Sequence, residues 1–195
     1  GYEYIYISTN GALADEDRFQ KLLDAGITSI KFSINGGNRE TYRRVHGRDD
    51  FDKVLRNLRF VHEYRDRLPK KVFLGVSFVG MEDTRDTFDE LKTLVEEIVD
   101  EIIYYEASNQ SGQMPHLPLP PYRDCHLPFG KAHISLEGYL KVCCNDYDNL
   151  LAVEDLAQMP MLEAWHSPRF QALRRGHIEN DLEGTLCANC IRGSC

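Results

Sequence analysis

The chain has 195 residues, 42% of them hydrophobic, enough for one sizeable core, or for one core plus a small satellite stabilised by something besides burial. A formal net charge of -8 with no Lys/Arg cluster argues against an electrostatic grip on nucleic acid or on an anionic membrane surface. No apolar run approaches the ~18–20 residues that span a bilayer, and no basic region leads an apolar stretch at the N-terminus, so the chain reads as soluble, unexported and cytoplasmic.

Gly1 opens the chain and a strand-like run is under way by Ile5, so it reads as an excerpt of a longer protein. "YEYIYIST" is β-branched and aromatic and stops at "NG"; "DEDRFQKLLDAG" then has acids first and a closing Gly26, which predicts strand, turn and helix. "ITSIKFSI" repeats the strand signature and ends at "NGG". The stretch after it carries Phe51, Val54, Leu55, Leu58 and Val61 near helical spacing. "KKVFLGVSFVG" is a third strand, "TFDELKTLVEEIV" a further helix, and "DEIIYYEA" a fourth strand. Strands separated by helices of this length pair in parallel. Residues 1–112 therefore make an α/β unit of about three and a half repeats, a partial, truncated parallel β/α barrel, too few to close eight strands.

Residues 113–124 hold Pro115, Pro118, Pro120 and Pro121, which deny backbone donors and predict an extended linker. Residues 125–195 form a second, small cysteine-rich module. "KAHISLEGYLKVCC" reads as a β-hairpin turning at Glu137-Gly138, and "MLEAWHSPRFQALRRGHIEN" as a helical segment with Trp165 and Phe170 in its core.

The first 124 residues contain no cysteine, whereas the remainder holds Cys125, Cys143, Cys144, Cys187, Cys190 and Cys195. That segregation points to a metal-binding module. Cys187 and Cys190 converge from one tight turn, and the hairpin returns Cys143 to the side of Cys125. Four thiolates suit zinc or an iron-sulfur cluster, and spacing alone leaves both open. Adjacent strand residues face opposite ways, so only one of the doublet serves the site; Cys143 is assigned as the ligand and Cys144 as a small buried apolar residue. The seven histidines are scattered; His126, beside Cys125, is expected to pack near the metal without binding it.

The order C-x12-G-x4-C from Cys125 through Gly138 to Cys143, then "EAW", "FQALR" and "CANC", resembles the auxiliary-cluster domain of radical S-adenosylmethionine (SAM) enzymes, the SPASM/twitch group. "STNG" at 8–11, "FSINGG" at 32–37 and "YRRVHGRDDFDKVLRNL" resemble the third and fourth strands of that family's partial barrel. The resemblance implies one auxiliary 4Fe-4S cluster on Cys125, Cys143, Cys187 and Cys190, the single-cluster, twitch-like version, since only Cys195 follows "CANC". It also implies that SAM and a second 4Fe-4S cluster belong to the full-length parent. The family's CxxxCxxC loop has no counterpart in residues 1–124, so this chain alone is expected not to cleave SAM.

By the same resemblance Ser33 matches a SAM-contacting position, and Thr9 and Asn10 sit at the rim that faces SAM or substrate; the alternatives are plain turns at Asn10-Gly11 and a flexible Asn35-Gly36-Gly37 loop. Asp146 has two readings. It closes an Asx turn with Asn145 and Asp148, or it serves catalysis by accepting the proton released when a substrate radical is oxidised. The expected partners are a small-molecule or peptide substrate and a redox protein, with neither nucleic acid nor membrane. A zinc-stabilised structural module is the rival reading.

Overall fold

The computed structural model describes residues 1–114, 116–117 and 125–191. Most of the expected proline linker, and Cys195, lie outside them. The chain divides into two units, Gly1–Ala107 and Ser108–Cys195. Residues 108–112, grouped with the barrel on sequence grounds, thus fall in the second unit. Among the described residues no helix is long and apolar enough to cross a membrane.

In the first unit β1 (Tyr6–Thr9), β2 (Ser29–Ser33), β3 (Phe73–Gly80) and β4 (Glu101–Glu106) form one sheet in chain order, every pair parallel. Helices make the crossovers that parallel pairing demands: α1 (Glu16–Asp24), α2 (Arg39–His46), α3 (Phe51–Arg65) and α4 (Phe88–Val95). Asp15 and Asn38 start α1 and α2 by accepting the N–H of Arg18 and Thr41, each at 3.0 Å. Gly47, at φ 67°, ends α2 in the left-handed conformation that glycine adopts most readily, so the apolar repeat of α3 begins a separate helix.

Alternation along the strands sorts the sheet's two faces. Ile30, Phe32, Leu74, Val76 and Phe78 are fully buried and pack with Phe19, Leu23, Tyr42, Leu58 and Leu91 from the helices. The other face is mostly polar, carrying Tyr6, Ser8, Lys31, Ser33, Ser77 and Tyr105 beside Phe73, Val79 and Ile103.

The second unit holds an antiparallel sheet of β5 (His133–Ile134), β6 (Tyr139–Lys141) and β7 (Ala152–Asp155). The hairpin turns at Gly138, φ 92°, as the sequence predicts; β7 is an added third strand. Around it lie α5 (Leu127–Gly130), α6 (Met161–Trp165), α7 (Pro168–Glu179) and α8 (Leu186–Ile191). Ser167 caps α7 by accepting the Phe170 N–H, and this cap with Pro168 splits the expected single helical segment in two. Arg174 lies over Trp165 and Phe170, 4.2 and 4.0 Å from their ring centres, and donates to the carbonyls of Pro128 and Trp165. One side chain thereby ties α5, α6 and α7 together.

Candidate metal centre and barrel ligand face

Three local devices deliver the four candidate ligands of the second unit. Cys125 precedes α5, Cys143 lies two residues past the end of β6, and Cys187 and Cys190 lie on α8. Their i, i+3 spacing places the last two on one side of a helical turn, where the sequence suggested a tight turn. Cys143 and Cys187 are buried, Cys125 and Cys190 half-buried, and all are free thiols.

The thiols lie within one another's fields. Burial raises the pKa of Cys187 to about 12, and Cys125, Cys190 and Asp146 add to the rise. Burial likewise raises Cys125, with Cys190 and Cys144 contributing. A cation among these sulfurs would convert mutual repulsion into attraction, so the donor set fits a thiophilic metal group. Among the described residues no three Cys, His, Asp or Glu groups converge on a point that one metal ion could occupy.

The sulfurs also receive hydrogen bonds. The Asn145 N–H donates to Cys143 Sγ at 3.2 Å, the Leu127 backbone N–H reaches Cys125, and Ser111 Oγ lies 2.7 Å from Cys190 Sγ.

Cys144 departs from expectation: it is exposed instead of buried in apolar packing. β6 ends at Lys141, so the doublet lies on a turn where strand alternation no longer operates. The interaction between the two side chains raises the buried Cys143 thiol and lowers the exposed Cys144, and His133 and Lys131 lower Cys144 further. His133 was lost among scattered histidines in the sequence; the β5–β6 pairing brings it near the doublet. His126 is exposed.

Asp146 is fully buried, and its two carboxylate oxygens accept the N–H groups of Leu150 and Leu151 at 2.8 Å each. Its geometry is that of a residue closing a loop.

In the first unit Ser33 is the middle of a hydroxyl row across three strands. Its Oγ is 3.2 Å from Ser8 Oγ and 3.3 Å from Ser77 Oγ. Thr9 and Asn10 instead turn back on their own loop, accepting the N–H of Gly11 and Ala12 at 3.1 Å. Ser8 and Ser77 were missed in the sequence although alternation with Ile7, Val76 and Phe78 puts both on the polar face. At the rim the Asn35 N–H donates to Nε2 of His46 at 3.2 Å, and Asn35 Oδ1 accepts from the Val79 N–H at 2.9 Å. Burial lowers the pKa of His46, and its ring stacks on Tyr42.

Residues 1–95 match the Radical SAM superfamily, and residues 125–191 match SPASM, an iron-sulfur cluster-binding domain. A probable GTP 3',8-cyclase of Saccharolobus solfataricus is 25% identical over 195 aligned positions, which cover 80% of this chain and 63% of the relative. The solved structure of native anSMEcpe with bound AdoMet aligns at a TM-score of 0.63 and 12% identity, over 87% of this chain and 58% of that one. BtrN in complex with AdoMet and 2-DOIA aligns at 0.54 and 17% identity, over 96% of this chain and 58% of that one. The structural likeness is one of fold. The chain spans less than two thirds of the length of each of these relatives. Both units thus have a family, in the order the sequence motifs indicated: the chain belongs to the radical SAM superfamily and carries a SPASM iron-sulfur cluster-binding domain.

Proposed function

We propose that this chain is the C-terminal portion of a radical SAM enzyme in which Cys125, Cys143, Cys187 and Cys190 hold an auxiliary 4Fe-4S cluster. The observation that carries the reading is the gathering of free thiols from three separate segments of the cluster-binding domain into one field. The match to an iron-sulfur cluster-binding domain favours a cubane over one zinc ion, and the two differ in the sulfur spacing they require. Four thiolates at ~2.3 Å from zinc must stand within about 4 Å of each other, whereas those at the corners of a cubane stand about 6–7 Å apart.

Bound there, the cluster, ligated by cysteine at all four irons, would supply a redox centre. The chain's own residues do the rest. The Asn145 and Leu127 N–H groups and the Ser111 hydroxyl stabilise negative charge on the sulfurs, and Asp146 fixes the loop that carries Cys143. In the first unit the row Ser8, Ser33 and Ser77 offers hydroxyls to SAM on the polar sheet face, with Thr9 and Asn10 shaping the rim. The cofactors of the two families are SAM and 4Fe-4S clusters; the SAM-cleaving cluster needs a cysteine loop that residues 1–124 do not contain.

The reaction is a radical-based modification or oxidation of a small-molecule or peptide substrate, with a redox protein as electron source. Free, unpaired thiols suit the reducing cytoplasm. Chain reconstituted anaerobically with iron and sulfide is expected to be brown and to hold about four of each per chain. A colourless chain with one tightly held zinc would contradict the reading.

A further inference from the structure

The segment just after β4 lies outside both family matches, yet it is built onto the cysteine site. Gln110, Ser111 and Gly112 take successive left-handed conformations, with φ of 49°, 62° and 87°. Only the glycine does so without strain. Contacts from the cysteine-bearing elements hold the other two. The Tyr147 hydroxyl donates to Gln110 Oε1 at 3.0 Å, Gln113 Nε2 donates to the Asn145 carbonyl, and Asn189 Nδ2 donates to the Ser111 carbonyl at 3.3 Å.

The arrangement buries Ser111 to 2% exposure with its Oγ 2.7 Å from Cys190 Sγ. In the thiol form either atom could donate. A cysteine bound to iron has no proton, so in the loaded domain the hydroxyl must be the donor. Cys143 and Cys125 receive backbone N–H donors, which no substitution other than proline removes. Ser111 offers a side-chain donor, which substitution does remove.

Resting on the reading of Cys190 as a cluster ligand, we infer that Ser111 is a positioning residue that sets the reduction potential of the auxiliary cluster through the Cys190 sulfur. Adding one electron to the cluster increases negative charge on its sulfurs. An O–H dipole aimed at one of them stabilises the reduced form more than the oxidised form, and so raises the potential. The strained backbone keeps that dipole in place.

The test is a dye-mediated titration, with dithionite as reductant, of the full chain reconstituted anaerobically, comparing wild type with Ser111→Ala and Ser111→Gly. Alanine removes the donor and keeps the strain; glycine removes both. Each variant is expected to hold the wild-type iron content and to titrate at a more negative potential. At the wild-type midpoint the reduced-to-oxidised ratio should fall about tenfold, or about 59 mV for a one-electron couple. Wild-type potentials in both iron-loaded variants would overturn the inference. So would loss of iron from both, since Ser111 would then govern assembly and not potential. If only one variant loses iron, the other decides. A wild-type chain that takes up no cluster would instead refute the underlying cofactor reading.

Discussion

Two neighbouring cysteines have opposite surroundings: Cys143 is buried and takes the Asn145 N–H, and Cys144 is exposed. Cys143→Ala is therefore expected to lose the iron, and to destabilise the second unit with it, because a small core leans on its metal. Cys144→Ala should keep the iron and change stability by no more than about 0.5 kcal/mol, as an exposed substitution does. Iron per chain, with urea unfolding of each variant, checks the pair; the reverse pattern would make Cys144 the ligand. At this scale the sequence showed which residue types would matter but not where each side chain points. The spacing of Cys187 and Cys190 was legible because two thiols three apart share a side of any tight turn or helix. The orientation of the doublet was not, because it hinged on whether β6 stops at Lys141 or runs on. Ser111 carried no signal at all. Nothing local to "NQSG" announces a partner 79 positions away.

Elements were read most securely where periodicity is strong, as in α3 and β3, and least where close packing decides. For "NGG" a flexible loop was the alternative to the family motif. In the structure a Cβ on Gly36 would lie 2.4 Å from the Tyr42 backbone nitrogen, and one on Gly37 would lie 1.6 Å from the Thr87 carbonyl oxygen. Both glycines are there because α2 and the turn before α4 press on the loop. Gly37→Ala should accordingly cost about 3 kcal/mol or more, measured by denaturant unfolding. A near-neutral result would show the loop to be as free as its sequence suggested. The same rim depends on a neutral imidazole. Burial holds the His46 pKa below its ordinary 6.5, so on acidification the unfolded chain takes up the proton first. The stability that His46 contributes is complete above about pH 6.5 and is lost as pH falls through the lower, folded value. A stability-against-pH profile of His46→Gln should be flatter than wild type across that window. Burial depresses His133 and His177 in the same direction, so an acid slope that does not change in the variant would assign the effect to them.

For the molecule as a whole, two units were legible because composition changes so sharply between them: alternating apolar strands and helices without cysteine, then cysteines around a hairpin. Parallel pairing of β1 to β4 followed from connection length alone. The third strand of the small sheet did not, since Ala152–Asp155 is short, mixed in polarity and paired with β6 through an irregular register. The central claim is that four cysteines of the second unit surround one iron-sulfur cubane. Iron-edge X-ray absorption of the anaerobically reconstituted chain tests it most directly. We expect a first shell of sulfur alone, about four per iron, and a second shell of neighbouring iron. An iron shell containing nitrogen or oxygen, or one with no iron neighbour, would contradict the account.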